Sequence, residues 1–389
     1  MGAPSEAWTR IARQITRGAM VCVTVLGCSH SPPRGSRLDS PAAVGWSSRV
    51  SVSNGQQHSS SYPQVERIAA VCATEDGVVL AGSTPYRPRD RARAWVAKMA
   101  ESGDLVWSRR LESWALSRAT GVARVGSRSV IVVGDAIRSA QSQEGIFLAR
   151  IAETGLLEWD ATIEGAAPTR GAYFALDDHG GRVVVAATQV RNSREAIRLW
   201  ILNSGDGSQL LPAVEVCAGR VRGIALGDQG ESVVLLNSAG TLLWASLKTG
   251  QVKIRMEAEH VGSGRVAVYS RLVRQGEMLL VSGSIGPSLS GDNRDWRMFM
   301  ARVGSTRGER QVVDLGPGLL TDAIALRPNA VGACGWAAGL SGQIESRIVL
   351  ASVDGDPVRE FALAPGFTPA SIAVVGTDGL VVVGRREKD

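Results

Sequence analysis

Four arginines stand at matching places in successive copies of a repeated sequence. A guanidinium grips carboxylates and phosphates through a rigid, permanently charged fork. Arg118, Arg170, Arg220 and Arg265 each precede a buried apolar run by 12 or 13 residues. If those runs are equivalent strands, the four side chains converge on one rim and form an anion-attracting mouth. Glu112, Glu144, Glu164, Glu195, Asp292 and Asp295 are placed to neutralise part of that charge. Trp95 and Trp296 border large loops on the same side and are the aromatic candidates for ligand contact.

Other chemistry leaves fainter marks. His30, His58, His179 and His260 form no pair at metal-ligand spacing. Cys72, Cys217 and Cys334 lie far apart in apolar settings, which suits neither a disulfide framework nor a zinc site. There is no Gly-x-Ser-x-Gly elbow and no phosphate-cradling glycine loop. Asp322 and Glu66 are the carboxylates nearest the starts of the short apolar strands, a thin basis for acid–base catalysis. No metal and no cofactor is expected. The formal charge of +6 and pI near 9.3 favour anionic partners, but no zinc-finger or RNP-like motif points to nucleic acid. Apolar residues at 44% and charged residues at 21% are the proportions of an ordinary globular chain.

The elements that would hold these residues recur every 45 to 53 positions. The marker is a continuous aliphatic run ending in a small or polar residue: residues 78–83 (VVLAGS), 130–135 (VIVVGD), 183–188 (VVVAAT), 233–238 (VVLLNS), 278–283 (MLLVSG), 331–336 (VGACGW) and 380–384 (LVVVG). Such runs read as strands covered on both faces. A shorter strand lies about ten residues upstream of each and carries an apolar-Ala pair in most copies, among them Ile68-Ala69, Val122-Ala123 and Ile224-Ala225. Turns such as Glu75-Asp76-Gly77 join the two as hairpins. A third and a fourth strand follow, clearest in residues 95–111 and 147–163. Four antiparallel strands per copy predict an all-β, seven-bladed β-propeller.

The seventh marker ends the chain, so its blade lacks two outer strands. Arg37-Leu38 with residues 44–50 aligns without a gap on Lys98-Met99 with residues 105–111. This predicts a last blade closed by both termini and a single domain over residues 37–389.

Residues 1–27 read as a leader. Arg10, Arg13 and Arg17 precede the short apolar stretch 19–27, too short for a helical membrane span of about 20 residues. The end of this stretch, Val25-Leu26-Gly27-Cys28, resembles the lipobox of bacterial lipoproteins, which implies Cys28 as a lipid anchor. Residues 28–36 then form a Ser-Pro-Gly tether. The expected setting is a bacterial cell envelope, with the chain anchored to a membrane on its periplasmic or outer side.

Residues 240–255 (GTLLWASLKTGQVKIR) resemble the repeat of pyrroloquinoline-quinone-type propellers. Residues 95–111 are similar to the propeller repeats of bacterial surface lipoproteins, where "VAKL" leads to "GxLxWS". The likeness implies the propeller fold and an extracytoplasmic setting. It does not imply quinone chemistry, because the cysteine pair and calcium-binding acidic cluster of those dehydrogenases have no counterpart here. The resulting expectation is a non-enzymatic recognition or scaffold protein that binds an acidic protein segment or an anionic polysaccharide at an Arg-rich channel mouth. The alternatives are a polysaccharide lyase or hydrolase with its site in that mouth, and an assembly factor presenting its blade edges.

Overall fold

The computed structural model describes residues 21–27, 44–48, 67–84, 92–137, 144–163, 169–177, 181–191, 194–227, 230–249, 251–257, 265–275, 278–287, 295–304, 310–327, 330–338, 344–352, 359–363, 367–375 and 379–386. Blade one contains β3 (Arg67–Thr74), β4 (Gly77–Ser83), β5 (Ala94–Ala100) and β6 (Leu105–Arg110). Blade two contains β7 (Leu116–Val125), β8 (Ser129–Ile137), β9 (Glu144–Ala152) and β10 (Leu157–Ile163), and blade three β11 (Thr169–Asp177), β12 (Arg182–Arg191), β13 (Arg194–Asn203) and β14 (Gln209–Ala218). Blade four contains β15 (Val221–Leu226), β16 (Ser232–Asn237), β17 (Thr241–Ser246) and β18 (Val252–Glu257). Blade five contains β19 (Val266–Gln275), β20 (Met278–Gly286), β21 (Arg297–Val303) and β22 (Arg310–Pro317), and blade six β23 (Leu319–Arg327), β24 (Ala330–Ala338), β25 (Ile344–Ser352) and β26 (Arg359–Ala362). Each blade is an antiparallel meander in chain order. The fold is an all-β propeller of four-stranded antiparallel blades.

The aliphatic marker runs form the second strand of each sheet. They are buried because a neighbouring sheet covers each face. β4 is buried at every position, whereas the outermost strand β6 is buried at none. Each gap between sheets holds its own core. Val79, Ala81 and Val96 of blade one meet Val122, Val132 and Phe147 of blade two. Val184 and Leu199 of blade three meet Ile224 and Leu235 of blade four. Each fully buried aliphatic side chain contributes about 1.5–3 kcal/mol. The ring is therefore stabilised mainly between blades.

A polar clip repeats on the outer rim. Trp107 on β6 donates its indole N–H to the carbonyl of Glu153 in the next blade, at 2.8 Å. Lys98, directly across the ladder from Trp107, reaches the Glu153 carboxylate at 3.0 Å and Asp76 at 2.8 Å. One blade on, Trp159 and its cross-strand partner Arg150 both donate to the carbonyl of Ser204, at 3.3 and 2.9 Å. The gripped turns carry Gly155 (φ +85°) and Gly207 (φ +74°), against which the two indoles lie flat. Any side chain there would be strained in the left-handed region and would displace the ring. In blade three the two positions hold Ile201 and Leu211, and the clip ends.

A further four-stranded sheet joins the two ends of the chain, in the order β2 (Val44–Ser48), β1 (Val21–Gly27), β28 (Gly379–Arg386), β27 (Phe367–Val375). Its Ala373, Val381 and Val383 pack on blade one, and its Ile372, Leu380 and Val382 on blade six. The expected fourth strand at residue 44 is present. The expected third strand at Arg37-Leu38 lies outside the described residues, and Val21–Gly27 pairs with β28 over seven positions instead. The reason is propensity: Val21, Val23, Thr24 and Val25 are β-branched, whereas Pro32, Pro33 and Gly35 are poor strand formers. A short apolar run satisfies a leader and a buried strand equally well. One molecule cannot use Val21–Gly27 for both, since cleavage before Cys28 removes β1. Cys28 and the tether lie outside the described residues.

Candidate functional site

Every innermost strand breaks register with its neighbour at the same place, and β23 breaks a second time between Ala325 and Arg327. The breaks fall between Ile68 and Ala70, Ala119 and Gly121, Thr169 and Ala172, Val221 and Gly223, Tyr269 and Arg271, Leu320 and Asp322, and Pro369 and Ser371. Each bulge leaves residues without a ladder partner and re-aims the strand. It also explains why the marker run ends in a small residue. A side chain at Gly134, Gly283 or Gly384 would overlap the carbonyl oxygen of Arg118, Val268 or Thr368, two residues ahead of the bulge. Blade four departs with Asn237, which turns inward to cap Ala239 N and Thr241 N. Blade three departs with Gln189 and an enlarged bulge that includes Arg170 and Gly171. Gln189 is 2% exposed, and both of its amide atoms lack a hydrogen-bond partner.

This register places the predicted arginines. Arg118 and Arg220 share the position two residues ahead of the bulge, and Arg67 joins them on β3. Arg118 is exposed and has no hydrogen-bond or ion-pair partner among the described residues. Arg220 is held by Glu195 through its Nε at 2.6 Å, so its charge is largely matched. Arg170 lies in the bulge of β11, with its side chain outside the described residues. Arg265 is a correction. It precedes β19 by one residue, and Val268 occupies the equivalent position. Counting back from the marker missed this because only two residues separate β19 from β20, against five between β15 and β16. The four arginines therefore do not share one register: Arg118 and Arg220 match, Arg170 falls inside a bulge and Arg265 falls ahead of the shared position.

The two tryptophans are also corrected. Trp95 is 0% exposed, packed between β28 and blade one, and Trp296 is 3% exposed and lies flat over Gly286. Neither offers a surface to a ligand. Trp95 stands across the ladder from Gly82, as Phe147 stands across from Gly134 and Phe299 from Gly283. An aromatic ring filling the space above a strand glycine is a packing device.

The residue just after each bulge forms a second belt: Ala70, Gly121, Ala172, Gly223, Arg271, Asp322 and Ser371. Four are small and three are polar neighbours. Asp322, 5% exposed, accepts from Ser371 Oγ at 2.8 Å, Ile372 N at 3.1 Å and its neighbour Ala323 N at 2.9 Å. Arg271 Nε approaches its other oxygen at 3.4 Å. The carboxylate is thus committed to tying blade six to the sheets on either side, and it has little capacity left for proton transfer. Glu66 lies outside the described residues.

The remaining groups offer little chemistry. Burial pushes the Cys72 thiol up to about 12 and the Cys334 thiol well above the usual range, so neither is a nucleophile near neutral pH. No group of three or more His, Cys, Asp or Glu side chains could hold a metal among the described residues. No described helix is long and apolar enough to cross a membrane. A crevice beside Lys98, Trp107 and Glu153 has about 10 Å³ of free space, room for one water at most.

No protein-family model matches the chain, and no curated protein matches it. Solved structures do. The WD40 domain of Pan2 from Neurospora crassa is similar with a TM-score of 0.56 at 11% identity, over 83% of this chain and 90% of that one. Raptor from Chaetomium thermophilum is similar with a TM-score of 0.54 at 11% identity. That match spans 83% of this chain and only 28% of Raptor. At such identity the likeness shows the fold alone, a β-propeller. It lends no support to the resemblance to quinone-type or lipoprotein repeats.

Proposed function

We propose that this protein is a non-enzymatic recognition scaffold that binds an acidic protein segment at the Arg-rich mouth of its channel. The observation that carries the reading is the arc of arginines at one register: Arg67, Arg118 and Arg220 two residues ahead of the bulge, with Arg170 inside the bulge of the blade between. An acidic peptide is favoured over an anionic polysaccharide because each tryptophan whose burial is described is buried or half-buried, which leaves a sugar little flat apolar face. We propose also that the terminal sheet is a seventh blade: β1 completes it in the uncleaved chain, and in a chain cleaved before Cys28 the Arg37-Leu38 segment takes that place. The repeat resemblance and the lipobox-like Cys28 support an extracytoplasmic, lipid-anchored setting in a bacterial envelope.

The test is binding of a fluorescent glutamate-rich peptide by the full chain, at low and raised salt. Charge reversal of Arg67, Arg118 and Arg220 to Glu is expected to weaken binding at least tenfold, or about 1.4 kcal/mol, with folding confirmed by circular dichroism. Binding by the wild type should weaken as salt rises. If the wild type shows no salt-sensitive affinity for acidic peptides or polyanionic glycans, the reading fails. Mass spectrometry of the chain produced in bacteria tests the anchor, which requires a lipid-modified Cys28 at the mature N-terminus.

A further inference from the structure

The arginines ahead of the bulge were found by their repetition, but two others were not, because they occur once each. Arg222 is the residue bulged out of β15, and Arg271 follows the bulge of β19 in the next blade. The two strands touch there: a side chain at Gly223 would come within 2.8 Å of Leu272 N. The residues before Gly223 and Leu272 are Arg222 and Arg271, so the two are neighbours across the seam. Other bulged residues show which way such a side chain turns. Thr120 reaches the carbonyl of Ala172 at 3.3 Å, and Ser270 reaches the carbonyl of Leu320 at 2.9 Å, each on the next innermost strand. Arg222 holds the same position on β15, and the facing residues of β19 that match Leu320 and Ala172 are Tyr269 and Arg271.

Neither charge is well matched. Arg222 is partly buried and has no ion-pair or hydrogen-bond partner among the described residues. Arg271 is 49% exposed, and its one acidic contact among the described residues, at 3.4 Å, is to a carboxylate already engaged by three shorter hydrogen bonds. Two arginines on touching strands, one of them partly desolvated, repel each other unless an anion lies between them. A carboxylate can accept from both forks at once.

We infer that Arg222 and Arg271 form a carboxylate-binding site on the innermost strands of blades four and five, and that it takes an aspartate or glutamate side chain of the bound acidic segment. This rests on the recognition reading and deepens it. The mouth arginines gather the peptide through its net charge, and the Arg222–Arg271 site fixes one acidic residue in place.

The test has two readouts on the full chain. The first needs no ligand. Arg222→Gln removes one of two repelling charges and no hydrogen bond, so its thermal midpoint at low salt is expected to equal or exceed that of the wild type. A clear drop would mean that Arg222 is a structural residue, and would overturn the proposal. The second is affinity for the glutamate-rich peptide. Arg222→Gln and Arg271→Gln are each expected to weaken binding about tenfold, Arg222→Lys by less, and Arg118→Gln by less than either. Unchanged affinity in Arg222→Gln and Arg271→Gln, alongside a loss in the Arg118 variant, overturns this site and leaves the mouth standing. No binding by the wild type overturns both. Binding of polygalacturonate in place of the peptide, with both arginines required, would overturn the assignment to a peptide.

Discussion

The outer rim and the inner belt hold the blades together in opposite ways. On the rim one device is copied: a tryptophan with a cation opposite grips the next blade's turn, first with Trp107 and Lys98, then with Trp159 and Arg150. On the belt hardly anything is copied. Small residues run from Ala70 to Gly223, and then Arg271, Asp322 and Ser371 interrupt them. Copied features meet a demand that every blade shares, which is packing. Features that occur once meet a demand that belongs to the molecule. In a repeat protein, departures from the repeat are therefore the better guide to function.

The comparison breaks first at the copied glycines. Gly134→Val drives a side chain into the Arg118 carbonyl and the Phe147 ring, and should cost about 3 kcal/mol, read by urea denaturation. A cost below about 1 kcal/mol would mean that the bulge can shift, and that the shared register is not a packing demand. Asp322→Ala leaves Ser371 Oγ and Ile372 N without their acceptor. It should cost about 2 kcal/mol in the same assay, which would separate the structural part of the belt from its cationic part.

A smaller loss, about 1 kcal/mol, is expected for Trp107→Phe, which keeps the ring and deletes the bond to Glu153. The least effect is a pH dependence of the clip. Hydrogen bonding from Lys98 holds the Asp76 carboxyl below its usual range. Burial works against the charge on Lys98, but the hydrogen bonds and charges of Asp76 and Glu153 prevail and hold its ammonium above the usual range. The Asp76 contribution is therefore present above the ordinary carboxylate range near pH 4 and fades as pH falls through the depressed value. The Lys98 contribution is present below about pH 10.4 and fades as pH rises through the raised value. Thermal midpoints of Lys98→Met should lack both declines, and equal slopes in variant and wild type would remove Lys98 from the clip.

Much of the fold was legible because burial on both faces demands continuous aliphatic runs. Each of the seven markers lies within or ends one residue past a second strand of its sheet. The shared bulges were not legible, since a bulge adds a residue without a change of composition. Arg265 was misplaced because the turn into β20 is shorter than the turn into β16, whereas Arg118 and Arg220 fell in register. Trp95 and Trp296 misled because a tryptophan beside a loop has the same sequence whether it faces solvent or a strand glycine. Arg222 and Arg271 could not emerge from a search for recurrence. The closing segment at Val21–Gly27 was hidden because a strand and a leader share one apolar vocabulary.

The pairing of β1 with β28 also sets an order of events. β1 can pair with β28 only once β28 has emerged. Local hairpins can form blade by blade during synthesis, but β1 and β28 cannot join until the six intervening blades have been made. Sealing is a slow, long-range step, and until it occurs β28 offers an unpaired edge to any other extended chain nearby.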